Sequence, residues 1–208
     1  MYKSRGFSLI ELTIVIVVLG ILAVTALPRF LDVTEEAQNA SVQGMSGGFS
    51  SGVMMARAQW EAQGRGTVDS MNSVLYDGTR LYLTTPTQAE LEAGTLSPGY
   101  PVDTAESGSP SSNPGELTAQ RCLNLWNGLL QNPPAATANF SNVTSSSEDI
   151  QYYVSAQTDG NDSYCRYYLV MSLGKDQAGS YVDPNNRTDA YKSFSYRPAS
   201  GQVATHIN

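Results

Sequence analysis

Histidine is almost missing from this chain: His206 is the only one in 208 residues. A His-rich metal centre is therefore out of reach, and a Ser-His-Asp triad would have to use His206. A lone histidine on a C-terminal strand reads as solvated rather than catalytic. Cysteine is nearly as scarce, with Cys122 and Cys165 alone, too few for a zinc site or a multi-disulfide scaffold. Positive charge is also short: 12 Lys and Arg against 19 Asp and Glu leave a formal charge of −7. Without a basic cluster, non-specific nucleic-acid binding is not expected. Neither a P-loop nor a Rossmann glycine pattern occurs, and there is no internal repeat. The chain thus reads as a non-enzyme with no cofactor, no metal and no nucleic-acid partner. Charged residues make up only 15%, while Ser, Thr, Asn, Gly and Tyr are plentiful, a composition that suits an extracellular surface.

What the chain does have is a long apolar run near its N-terminus. From Phe7 to Leu27 the only charge is Glu11. At 1.5 Å per residue, about twenty such residues span roughly 30 Å, the hydrocarbon thickness of a bilayer. The run is rich in Val, Ile and Leu but far too long for one strand. An ordinary secretory signal has a shorter apolar core and a small-residue cleavage site at its far end. Lys3 and Arg5 precede the run and hold the N-terminus in the cytoplasm.

Glu11 is the anomaly. A carboxylate inside an apolar span costs on the order of 3 kcal/mol even on lenient scales, so a partner is expected. Cutting the chain after Gly6 would create one, the α-amine of Phe7, one helical turn away.

Gly6-Phe7-Ser8-Leu9-Ile10-Glu11 after a short basic leader resembles the class III signal of the type IV prepilin family, which includes pilins and pseudopilins. The resemblance implies cleavage between Gly6 and Phe7, and N-methylation of Phe7, by a membrane-embedded prepilin peptidase and N-methyltransferase. It implies that Glu11 is the assembly carboxylate, pairing with the N-terminus of an adjacent subunit. Pro28 matches a helix-kinking proline. Further along, PRFLDVTEEA and Gln59-Trp60 resemble the mannose-sensitive haemagglutinin (MSHA) pilus group. The implied partners are other pilin subunits in a homo- or hetero-polymer filament, the inner membrane, and an inner-membrane assembly platform with its cytoplasmic ATPase. The implied location is a single-pass inner-membrane prepilin with a periplasmic globular domain, then an extracellular filament.

The expected fold is α+β and type IV pilin-like: a long N-terminal helix, half transmembrane, packed on an antiparallel β-sheet with a C-terminal disulfide loop. The domains follow as a leader at 1–6, a transmembrane half-helix at 7–28 and a globular domain at 29–208. Within the last, an amphipathic helix covers 29–63, a loop region 64–149 and the sheet 150–208.

Phe30, Val33, Ala37, Ala40, Met45, Phe49, Val53, Ala56 and Trp60 recur at helical spacing. Gly44, Gly47, Gly48 and Gly52 each weaken such a helix by roughly 1 kcal/mol relative to Ala. They mark either close packing or plain local weakness. Residues 74–83 read as a hairpin with Asp77-Gly78 as its turn. Thr87 and Glu90 fit a capping box. Residues 95–115, with four prolines among Ser and Gly, read as a surface loop. Residues 117–131 read as a helix with Leu117, Cys122, Leu125, Trp126, Leu129 and Leu130 inward. Residues 150–156 with 163–173, and 190–198 with 202–208, read as two hairpins of one sheet. Cys165, Tyr167, Leu169 and Met171 share its inward face.

Two exported cysteines read as one disulfide, Cys122–Cys165, worth roughly 4 kcal/mol in the chain-entropy model; two separate buried thiols are the alternative. Asp159, Asn161 and Asp162, and again Asp183, Asn185 and Asn186, carry oxygen ligands of the kind calcium takes, though any turn uses the same residues. Asn139-Phe140-Ser141 has the glycosylation-acceptor spacing, a short pattern that chance produces. Tyr152, Tyr153, Tyr167, Tyr168 and Tyr196 read as sheet-packing aromatics or, if exposed, as platforms for sugars.

Overall fold

A computed structural model describes residues 7–145, 150–159, 162–185, 187 and 191–207. Of residues 27, 28, 30–32, 144, 145, 159 and 162 it describes the backbone alone. Gly6, Asn161 and Asn186, singled out above, lie outside the described residues. The chain forms two compact units, residues 1–40 and 41–208.

A single 54-residue helix, α1 (Leu9–Ala62), contributes to both units. In the first unit the window Leu9–Ala26 has a mean hydropathy of 2.7, and none of it is buried. A helix that is apolar on every side has no solvent-facing stripe, so its natural surroundings are lipid or other helices. It is long and apolar enough to cross a membrane.

In the second unit the buried apolar side chains of α1 are Val42, Phe49, Val53, Ala56 and Trp60, which recur every three, four or seven residues and form one stripe. A first antiparallel sheet follows, in the order β1 (Thr67–Val68), β2 (Met71–Tyr76), β3 (Thr79–Leu83) and β4 (Pro101–Thr104). Asp77 and Gly78 join β2 to β3 with φ of 44° and 83°. Two successive positive φ values match the twist of a tight hairpin. Between β3 and β4 sits α2 (Gln88–Ala93), closed by the Thr87/Glu90 capping box.

Next come α3 (Ala119–Leu129), β5 (Ala136–Thr137), α4 (Phe140–Ser145), β6 (Tyr152–Asp159), β7 (Asp162–Leu169), β8 (Ser193–Arg197) and β9 (Gln202–His206). The strands β5 to β9 form a second sheet in sequence order. It is antiparallel except for the short β5–β6 pair, which is parallel. The core lies where one face of this sheet meets α1 and α3. The ring of Phe49 lies 5.1 Å from Tyr167, 5.3 Å from Tyr196 and 5.6 Å from Phe194. Trp126 of α3 lies 4.8 Å from Tyr152 and 5.3 Å from Tyr167, and its indole N–H donates to Pro134 O at 3.0 Å. Buried tryptophan keeps its polar handle satisfied in this way.

The α+β arrangement is the expected one, with a long helix, an antiparallel sheet and the Cys122–Cys165 bond. Several finer expectations are corrected. The loop region 64–149 contains a whole sheet, and within 95–115 the strand β4 is buried at all four residues. The described residues form two sheets rather than one. The strand beginning at 163 ends at Leu169, because Val170–Ser172 forms a 3-10 turn; Met171 is accordingly 65% exposed rather than inward. The glycines divide. A Cβ on Gly52 would lie 2.6 Å from Leu129 O, so α1 approaches the end of α3 there, whereas Gly44 and Gly47 face open space.

Candidate functional site: the N-terminal helix and its carboxylate

The N-terminal unit exposes its apolar side chains almost without exception; Phe7 is 86% exposed and Leu9 84%. At its start the helix is closed by a device that the apolar run conceals. Ser8 Oγ accepts from Glu11 N at 3.2 Å. Glu11 Oε2 accepts from Ser8 N and from Ser8 Oγ, each at 3.1 Å. This Ser-x-x-Glu arrangement is a reciprocal capping box. It satisfies two N–H groups that a helix start leaves without partners, and it sets a negative charge at the positive end of the helix dipole. In hydrocarbon an unsatisfied backbone group costs several kcal/mol, so the cap is worth more there than in water.

The sequence reading assigned Glu11 and missed Ser8. The signal was present as serine three residues before glutamate. Chemically, the Glu11 carboxylate is accessible, sits at a helix N-terminus and lies one turn from the backbone nitrogen of Phe7. It is placed to accept from any further donor that arrives at this end of the helix. Gly6, the other residue of the expected cleavage junction, lies outside the described residues. Pro28 lies within α1.

The second expected feature is in the globular unit. Cys122 of α3 and Cys165 of β7 are disulfide-bonded, with Cα atoms 5.5 Å apart and a sequence separation of 43. Both are fully buried. The Tyr167 hydroxyl donates to Cys122 O at 3.0 Å, adding a polar tie beside the covalent one.

Four of the five tyrosines considered as sugar platforms are core residues: Tyr152, Tyr167, Tyr168 and Tyr196 are at most 1% exposed. Burial raises the Tyr167 and Tyr196 phenols well above the ordinary value and pushes Tyr168 up to about 12. His206 is half-buried, its Nε2 3.1 Å from Ser195 Oγ. Burial first, then Arg166 and Arg197, lower its pKa below 6.5. Asp183 Oδ1 accepts from Asn185 N at 2.9 Å, which is ordinary turn chemistry. Among the described residues no three His, Cys, Asp or Glu side chains gather as a metal-ligand group.

A polar cluster that the sequence did not announce holds the proline-rich stretch in place. Asp103 of β4 is fully buried and meets Arg121 of α3 at 2.9 Å. Its carboxylate also accepts from Ser107 Oγ, Thr104 N and Ser111 N.

Residues 1–27 match the family model described as the prokaryotic N-terminal methylation motif. The chain is 42% identical, over 69 residues, to the type IV narrow pilus major component PilA5 of Thermus thermophilus, covering 33% of this chain and 58% of that protein. It is 58% identical, over 38 residues, to the fimbrial protein EcpB of Eikenella corrodens, covering 18% of this chain and 24% of that one. The chain therefore spans less than two thirds of either relative. No solved structure matches it. The methylation motif at the N-terminus and the likeness of part of the chain to two pilus proteins support a place in the type IV prepilin family.

Proposed function

We propose that this chain is a structural pilus subunit of the MSHA type, serving attachment and biofilm formation as a minor or biogenesis pilin. A prepilin peptidase cuts between Gly6 and Phe7 and methylates the new N-terminus. The mature subunit waits in the inner membrane with its globular unit in the periplasm. On docking, Glu11 pairs with the Phe7 amine of a neighbouring subunit, and the apolar half-helices pack into a filament core. Pro28 bends the helix on its way out of the bilayer. An assembly platform and a cytoplasmic ATPase supply the work, since this chain has no nucleotide-binding motif.

The observation that carries this reading is the exposed apolar stretch Leu9–Ala26 of α1, whose one charge, Glu11, sits at its N-terminal end. The single amine that cleavage creates would stand beside that charge. The likeness to a major pilus component favours a second reading, that this subunit is the abundant one. A type II secretion pseudopilin is a third role for the same architecture.

The test is mass spectrometry of the N-terminal peptide from sheared surface filaments and, separately, from membranes. A methylated Phe7 terminus, scarce in filaments, supports the minor role, and an abundant one supports the major role. Mature protein confined to membranes supports the pseudopilin. An uncut Met1 where the peptidase is active overturns the proposal. Glu11→Ala is expected to abolish or slow piliation while leaving the globular unit folded; normal piliation would sink the docking mechanism.

A further inference from the structure

The outward face of the second sheet carries a buried cation that no ion pair among the described residues neutralises. Arg166 lies in the middle of β7 and is 3% exposed. Across the ladder it faces Ser155 of β6 and Ser195 of β8. One hydrogen bond reaches its guanidinium head from the protein side: Nη1 donates to Ser193 Oγ at 3.3 Å. Its Nε is buried with no partner. None of the ion pairs among the described residues includes it.

This is unusual chemistry. Arginine stays charged at any biological pH and presents five donors in a planar fork. Buried charges are paired, and a buried donor left without an acceptor costs about 1–3 kcal/mol, more when charged. The contrast lies within the same molecule: Arg121 is also largely buried, and it has both Asp103 and Glu116 as partners.

The neighbours of Arg166 add positive charge and hydroxyls. The Arg166 guanidinium lies 5.3 Å from the Tyr164 ring centre and 6.0 Å from that of Tyr168, and Arg197 lies 4.4 Å from the Tyr164 centre. The fields of Arg166 and Arg197 both bear on His206, whose Nε2 meets Ser195 Oγ. A cation-rich, hydroxyl-lined spot is thus held in a protein of net charge −7.

We propose that Arg166 is the centre of a binding site for a small oxyanion, and that its ligand is a carboxylate-bearing molecule. A carboxylate supplies two acceptors at the spacing of the arginine fork, so one group satisfies Nε and a terminal nitrogen together. The hydroxyls of Ser155, Ser193 and Ser195, held by Gln157, Arg166 and His206 respectively, line the spot around the fork. The site is independent of cleavage at Gly6 and of filament assembly, and it stands even if the proposed function fails.

The test is a titration of the full-length chain in detergent, followed by NMR at the Arg166 Nε–H. Glucuronate, glucose and inorganic phosphate are the probes. Glucuronate is expected to shift the Nε–H saturably, with glucose silent. Phosphate acting as well as glucuronate would keep the oxyanion site but overturn the choice of a carboxylate. Arg166→Lys keeps the charge and loses the fork; it is expected to weaken glucuronate binding about tenfold. Ser193→Ala, which leaves the cation in place, is the second variant and is expected to weaken binding several-fold should Arg166→Lys fail to fold. A glucose response equal to that of glucuronate, no saturable shift with either anion, or undiminished affinity in a folded variant would overturn the proposal.

Discussion

Arg121 on α3 and Asp103 on β4 meet at 2.9 Å in a place where Asp103 is wholly inaccessible to water. That one pair explains why a stretch of Pro, Ser and Gly is part of the core rather than a loose excursion. The carboxylate collects backbone and hydroxyl donors from residues 104, 107 and 111. The guanidinium in turn donates to Ser109 O at 3.0 Å. Breaking a buried pair by removing one partner typically costs about 3–5 kcal/mol, because the other charge stays behind. Asp103→Ala and Arg121→Ala are each expected to destabilise the globular unit by that order, and the double variant by clearly less than the sum. Urea unfolding of the four proteins, read by tryptophan fluorescence, checks this.

The glycines of α1 are expected to respond in opposite directions. Gly52→Ala sets a methyl 2.6 Å from Leu129 O; forcing α1 and α3 apart is expected to cost roughly 1–3 kcal/mol. Gly44→Ala and Gly47→Ala meet nothing within 4 Å and are expected to stabilise by up to about 1 kcal/mol each through helix propensity. Thermal unfolding followed by near-ultraviolet circular dichroism distinguishes the two classes.

Replacing Cys122 and Cys165 together by serine frees a 43-residue separation. The expected loss is roughly 4 kcal/mol in the chain-entropy model. Wild-type protein treated with reductant in denaturant and then diluted is expected to show the same loss. Equal stability of the oxidised and double-serine proteins in urea would contradict it.

The buried phenols give the stability a steep alkaline limb. Tyr167, Tyr168 and Tyr196 hold their protons in the folded state to higher pH than the ordinary value of 10. Above pH 10 the unfolded chain therefore releases protons that the folded chain retains, and stability falls as pH rises. Below pH 10 these groups are neutral in both states and contribute no slope. A urea midpoint that declines above pH 10, with part of the phenolate absorbance appearing only on unfolding, is the expected result. Ionisation of all twelve tyrosines in a chain still folded would contradict it.

The N-terminal cap is expected to act in lipid rather than in the globular unit. Ser8→Ala removes the hydroxyl partner of Glu11 N and is expected to cost the helix start about 1 kcal/mol, as for other N-caps. Hydrogen exchange at the amides of residues 9–12 in bilayer nanodiscs should quicken, with residues 41–207 unchanged.

The sequence by itself determined the parts that depend on local pattern. Twenty apolar residues interrupted by one glutamate define a membrane-length helix without any tertiary partner. The Asp77-Gly78 turn and the Thr87/Glu90 cap are short-range chemistry, and both lie where residue type places them. The pairing of two cysteines followed from their number and the export expected of the domain. Tertiary structure decided what depends on residues far apart in the chain. The burial of β4 rests on an arginine 18 positions away, which propensity in a proline-rich window cannot register. Gly52 and Gly47 look alike in sequence, yet only Gly52 meets a carbonyl, because only packing brings α3 to that side of α1. The tyrosines stand in adjacent pairs, Tyr152-Tyr153 and Tyr167-Tyr168, whose members point to opposite faces, and the covering of the sheet on both faces put Tyr152, Tyr167 and Tyr168 inside. Arg166 is an ordinary strand residue in the sequence; only burial, by taking away its water, made its unpaired guanidinium a feature of the molecule.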